Sequence, residues 1–510
     1  MTVLTAPTPV RPDAGVRGAT PSRRRWTAVE PAVICGACAA GALAAQWPAL
    51  ALGAVLVALL AALVWVRPPT AAYLLVGLTP VVAGIDRGVA IPFFRPNEAL
   101  LLLLGATLAA RWLFGLRSGR VRFARPDAVE VAIVMLAVTA SVTPLLTMAV
   151  RGREITTDDL LYSLVLWKLV AVYVIVKASI RSGREVRICL VISVAAACVV
   201  AVVGILQGLD LFGVRSFLAE YYAQFGASAI VESRQRGSST LGLPAASADL
   251  MIINLAVVTG MWLRSRRHTW LFVVTVGLLV FGALAAGEFS STLGLTLGMA
   301  LVALVARSPA LLGFFTVLVA GGILAVWPVI SERLQGFSYA SGIPPSWVGR
   351  LFNLRTYFWP DLTAHGNVLL GVRPSARVPV PTQATGFVWI ESGYVWLLWG
   401  GGIPLLASFV FFVWVVGTRG WRVARARPDA IGAAGAAAFV AVVVITVLMA
   451  FDPHVTYRGS ADAVFALIAM TALARTVQAH TAHSDQPGVA PRPWRQGRHQ
   501  AVRGADGEHP

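Results

Sequence analysis

The chain has 510 residues, of which 57% are hydrophobic and 13% charged, and its formal net charge is +18. A soluble globular chain carries close to a quarter charged residues, so this composition excludes an ordinary soluble protein. The mean hydropathy of +0.73 points to a membrane protein instead. The positive charge does not read as a nucleic-acid footprint. It is nearly all arginine and falls between apolar runs rather than along one face.

Residues 1–27 are rich in Pro, Thr and Arg, end near Arg23-Arg24-Arg25, and read as a disordered cytoplasmic tail. Apolar segments then recur near 29–47, 49–66, 70–85, 97–115, 128–149, 159–180, 187–207, 242–263, 269–287, 290–306, 310–328, 388–416, 430–451 and 460–476. They do not alternate as barrel strands would, and backbone groups in hydrocarbon must be satisfied within the segment. The expected fold is therefore all-α, a polytopic membrane domain over 28–477 with about fourteen transmembrane helices. Residues 478–510 are polar and read as a second disordered tail. Four cysteines lie inside apolar runs; Cys35 and Cys38 have a metal-like spacing without further ligands nearby and are read as packing residues.

Charge sets the expected orientation. With the N-terminus inside, 28 of the 42 basic residues fall on the inner side and 13 on the outer, while Lys168 lies within a span. Basic residues resist translocation, so both termini are expected inside, against anionic inner-leaflet lipid. Two outer connections are then long, 208–241 and 329–387, and long connections on a rigid frame are where function tends to sit.

These two connections carry the candidate chemistry. The first holds Arg215, Glu220, Glu232, Arg234 and Arg236; the second holds Arg333, Arg350, Arg355, Asp361, His365, Arg373 and Arg377 and ends at Glu391. Guanidinium groups suit a diphosphate through paired hydrogen bonds. Against that stands the plain fact that long loops cross whatever their charge. Charge within or beside the spans occurs at Glu98, Lys168, Asp249, Glu288, Glu391 and Asp462. Lys168 reads equally as a phosphate contact or as an ion pair with a carboxylate on a neighbouring helix. Glu98, Glu288 and Asp462 stand at helix starts and read as caps, as does Asp158-Asp159, for which a metal pair is the weaker reading. No Gly-x-Ser-x-Gly elbow, His-Glu-x-x-His motif or phosphate-cradling loop is present.

Four stretches together resemble the O-antigen ligase and polymerase superfamily over roughly residues 90–410. They are Phe94-Arg95-Pro96-Asn97-Glu98; Arg236-Gly237-Ser238-Ser239 running to Pro244-Ala245; Arg355 followed by Trp359 and Gly371; and Glu391-Ser392-Gly393-Tyr394 with Gly400-Gly401. Where that family often has Ser-Arg, this chain has Ser290-Ser291, and Glu391-Ser392 stands where ligases place a histidine, which leans toward a polymerase or another relative within the superfamily. The resemblance implies a bacterial plasma-membrane enzyme that transfers or polymerises glycan from an undecaprenyl-diphosphate-linked donor on the outer face, without metal or other cofactor. It implies Arg355, Glu391 and His365 as catalytic candidates, and Arg236, Arg234, Arg350 and Lys168 as diphosphate ligands. Implied partners are the lipid-linked glycan, membrane lipid and polysaccharide export or assembly proteins, with no nucleic acid. The main rival is a lipid-linked glycan flippase, although no repeated halves are visible. A second rival, a glycosyltransferase with an acidic pair on its first outer loop, fits poorly because that connection is too short.

Overall fold

Backbone groups in hydrocarbon have no water to bond, so each apolar run closes its own hydrogen bonds as a helix. The computed structural model describes residues 41, 45–117, 126–222, 236–335, 345–381, 383 and 386–474. The two predicted tails, Cys35, Cys38 and Arg234 lie outside these residues, as does nearly all of the first predicted segment.

In chain order the helices begin with α1 (Pro48–Val66), α2 (Pro69–Val82), α3 (Pro96–Arg117), α4 (Ala128–Val150) and the consecutive pair α5 (Thr157–Ser163) and α6 (Val165–Ser179). Next come α7 (Gly183–Gly208), the short α8 (Val214–Tyr221), α9 (Pro244–Ser265), α10 (Thr269–Ala285), α11 (Phe289–Ala306) and α12 (Pro309–Ala325). After the second long connection follow α17 (Gly393–Ala426), α18 (Ala430–Leu448) and α19 (Ser460–Met470). Among the described residues eight stretches are long and apolar enough to cross a membrane: α3, α4, α5 with α6, α7, α9, α11, α17 and α18. α2, α10, α12, α19 and most of α1 are apolar but shorter. The protein is thus an all-α membrane protein.

Local signals start these helices. Asp127 with Glu130, Thr156 with Asp159, and Ser182 with Glu185 form reciprocal capping boxes at α4, α5 and α7. Pro69, Pro244 and Pro309 stand at helix starts, where the missing N–H costs nothing. The apolar pattern ends at 416, yet α17 continues to Ala426 through Arg419, Arg422 and Arg425. Arginine is a good helix former, and the buried Arg419 is answered by Asp127 at 2.6 Å.

Contacts divide the chain into two units, residues 1–62 and 63–510. In the larger one α9 is buried along most of its length and packs against α7, α10, α11 and α18. α18 begins Ala-Ile-Gly-Ala-Ala-Gly-Ala-Ala-Ala, and such small side chains let helices approach closely without a hydrophobic drive between them.

The connection between α12 and α17 is built rather than loose. It contains α13 (Trp327–Gln335), α14 (Pro345–Asn353), a π turn at Leu354–Phe358, α15 (Trp359–Thr363) and α16 (Asn367–Leu370). A hairpin of β1 (Arg377–Pro379) and β2 (Phe387–Trp389) follows, antiparallel with Val378 opposite Val388. Because β2 occupies the stretch predicted as the start of a helix at 388, α17 begins at Gly393. α17 breaks at Gly402, whose φ of +65° and ψ of −156° suit glycine. A Cβ there would lie 2.5 Å from the Leu369 backbone, so the break seats α16 against α17.

Candidate functional site

Five chain segments bring their charges together at the helix ends that carry the long connections. Arg236 precedes α9, Glu288 joins α10 to α11, Arg350 lies on α14, Glu391 precedes α17, and Asp452 follows α18. Arg350 donates to Asp452 through Nη2 at 2.9 Å, and its Nε stands 3.7 Å from Glu391. Asn353, one turn on, donates to Glu391 at 3.4 Å. Arg236 pairs with Glu288 at 3.0 Å, and the Glu288 charge is felt at Arg350, Glu391 and Asp452. Trp347 and Phe451, with ring centres 5.6 Å apart, hold α14 over the end of α18.

Arg350 is shared between two carboxylates, Asp452 and Glu391. Glu288, Glu391 and Asp452 surround Arg350, and Arg236 adds a second cation through Glu288. Burial, only partly offset by Arg350, pushes the Asp452 carboxyl up from 3.8 to about 6. Burial raises Glu391 as well. A carboxyl group raised to about 6 by desolvation, as Asp452 is, is suited to taking up a proton near physiological pH.

Below this group lies a histidine–aspartate pair. His454 Nδ1 and Asp249 Oδ2, on the α18–α19 connection and α9, share a hydrogen bond of 2.7 Å and are almost fully enclosed. His454 Nε2 and Asp249 Oδ1 have no hydrogen-bond partner among the described residues. The Tyr457 ring packs 4.7 Å from the imidazole, and the His454 charge is felt at Asp452.

The predicted site residues fall into two sets. The structure brings together Arg236, Arg350 and Glu391. Lys168 forms an ion pair with Asp462 at 2.9 Å, the second of its two readings. Arg355, on the π turn after α14, is exposed and makes no hydrogen bond or ion pair among the described residues. His365 is exposed with φ of +51°, and its carbonyl accepts from Arg151 at 3.4 Å. It is not joined to the Arg350 group.

The capping expectations fare unevenly. Asp159 caps α5, and Asp462 accepts from the Gly459 N–H at 2.7 Å. Glu98 accepts from the Arg95 N–H at 3.2 Å and also binds Arg87. Glu288 makes no cap hydrogen bond and pairs with Arg236 instead. Asp158 and Asp159 do more than cap. Arg377 pairs with Asp158, Arg373 pairs with Asp159 at 2.5 Å, and Ser375 N–H donates to Asp159 at 3.2 Å. Arg373 and Arg377 thus serve to clamp the long connection to α5.

Asp452 and His454 were not singled out by sequence because the 449–459 connection is short. The only signal was an Asp-Pro-His stretch directly after an apolar run. Away from this site, at the opposite end of α9 and α17, is a cavity of about 340 Å³ lined by Gly260, Arg264, Ala424 and Arg427. There Arg264 donates to the Ala424 and Arg427 carbonyls at 2.9 and 3.3 Å, closing the C-terminus of α17. No protein-family model and no curated protein matches this chain.

Proposed function

We propose that the protein transfers or polymerises glycan from an undecaprenyl-diphosphate-linked donor on the outer face of the bacterial plasma membrane. In this reading it has about fourteen spans, both termini are cytoplasmic, and the Arg350 group faces outward. The observation that carries the reading is the convergence of Glu391 and Asp452 on Arg350, with Arg236 and Glu288 beside them, where both long connections meet the helices.

The chemistry follows from what such a transfer needs. An acceptor hydroxyl attacks the anomeric carbon, the carbon–oxygen bond to diphosphate breaks, and the diphosphate leaves with the bonding pair. The hydroxyl proton passes to a carboxylate; Asp452, held near neutrality, and Glu391 are the proton acceptors. Charge develops on the leaving diphosphate, and Arg355, exposed and paired with no carboxylate among the described residues, is a cation available to meet it. Arg350 and Arg236 hold the carboxylates in place. This departs from the roles the family resemblance implies, where those two arginines bind diphosphate and His365 takes part.

The test is the lipid-linked glycan profile of cells lacking the protein, restored with wild type, Asp452→Asn or Arg355→Ala. Single repeat units are expected to build up on the outer face and to be cleared by wild type alone. Build-up confined to the inner face would make the protein a flippase. An unchanged profile would remove lipid-linked glycans from its function.

A further inference from the structure

A second charged group lies at the same helix ends, between the α2–α3 connection and the α18–α19 connection. Arg95 binds Asp86 at 2.8 Å and Glu98 at 3.2 Å, and Arg87 binds Glu98 at 2.8 Å. Both carboxylates are therefore occupied. Arg458 approaches from the other connection, near enough for Arg95, Asp86 and Glu98 all to act on its charge. It forms no hydrogen bond or ion pair among the described residues, and its Nη1 is fully enclosed. Burial, reinforced by repulsion from Arg95, draws its pKa down to about 10.

Three guanidinium groups against two carboxylates leave one positive charge. A buried N–H donor without an acceptor costs on the order of 1–3 kcal/mol, more where the group is charged. An arginine held so near a second one is satisfied by an oxyanion between them, and a phosphate matches the planar fork. The surplus charge suits an anionic phosphate group. The same connection exposes Val89, Phe94 and Phe93, the last at 88%, so an apolar surface adjoins the surplus cation.

We propose that Arg458 and Arg95 form a binding site for the phosphate ester of a membrane lipid, whose chains lie against Val89, Phe93 and Phe94. The site is separate from the Arg350 group and does not rest on the glycan-transfer reading, because its readout is lipid binding without turnover. The shared chemistry is a phosphate ester on an apolar tail, and either a bulk phospholipid or a polyprenyl carrier supplies it.

Native mass spectrometry of the full chain in detergent tests this, with phosphatidylglycerol, farnesyl diphosphate and inorganic phosphate as probes. Phosphatidylglycerol or farnesyl diphosphate is expected to saturate one site in wild type, with affinity at least tenfold weaker in Arg458→Gln. Whichever displaces the other from that site identifies the source. Phe93→Asp, at an exposed position whose left-handed backbone tolerates aspartate, is expected to weaken the lipid at least threefold while folding normally. This keeps the proposal falsifiable if Arg458→Gln fails to fold. It is overturned if wild type shows no saturable lipid site, if Arg458→Gln or Phe93→Asp binds as wild type does, or if inorganic phosphate binds as tightly as the lipids.

Discussion

Two charged regions fix the long connection to the helices, and they are built on opposite principles. In the α5 clamp each cation has its own anion: Arg373 has Asp159 and Arg377 has Asp158, with Ser375 bonding to both aspartates. In the Arg350 group one guanidinium faces Asp452 and Glu391, with Glu288 close by. Balanced pairs leave no charge for a ligand or a proton to answer. Two carboxylates that share one guanidinium do, because a proton taken up by one of them relieves their mutual repulsion. The difference teaches that a dense set of arginines on a long connection does not itself mark a binding site; how their carboxylate partners are shared separates frame from chemistry.

The largest expected effect falls on the clamp. Asp159 has no solvent exposure, so Arg373→Ala leaves a buried carboxylate unpaired. Breaking such a pair costs about 3 kcal/mol, and a large drop in the melting temperature of the detergent-solubilised protein is expected. Arg377→Ala should cost less, because Asp158 is partly exposed and keeps Ser375. Equal and negligible losses in both variants would break the comparison, since the clamp would then hold nothing.

On the other side of the comparison, Asp452→Asn is expected to fold at least as well as wild type but to lose about a hundredfold in glycan transfer by purified protein, the low end of what a positioned proton acceptor contributes. Wild-type activity should climb as pH rises through about 6, where Asp452 gives up its proton, and the variant should lack that rise. A variant with unchanged rate and pH profile would move the proton acceptor elsewhere in the group, to Glu391 first.

The same carboxyl leaves a smaller mark on stability. Asp452 holds its proton more tightly in the fold, at about 6, than at the ordinary value of 3.8. The folded state therefore binds more protons between those values, and wild type should lose stability, about 2 kcal/mol, as pH rises from about 4 to about 6. Asp452→Asn should remove that slope, and parallel curves for the two proteins would show that Asp452 is not desolvated.

These contrasts also mark what could be read from the residues alone. The helices were legible because apolar runs of span length admit one backbone solution, and Arg350 and Glu391 stood out as charges on an outer loop and at its end. The partnerships were not legible. Asp452 lies 102 residues from Arg350, and His454 lies 205 from Asp249. No periodicity links positions that meet only through helix packing. Asp158-Asp159 shows the same limit from the other side, for its capping role is written in the adjacent Thr156 while Arg373 and Arg377 arrive from more than 200 residues away.

Arg355 gives the smallest and sharpest contrast. Exposed and without a hydrogen bond or ion pair among the described residues, it should contribute little to folding, and Arg355→Ala is expected to shift stability by no more than about 0.5 kcal/mol. If it meets the leaving diphosphate, the same variant loses about tenfold in transfer, a charge-assisted contact of about 1.4 kcal/mol that no carboxylate among the described residues otherwise uses. Arg355→Lys keeps the charge but not the paired donors and should fall between the two. Loss of stability without loss of transfer would return Arg355 to the frame beside Arg373. Loss of transfer alone would make it an arginine of the long connection whose partner arrives with the substrate.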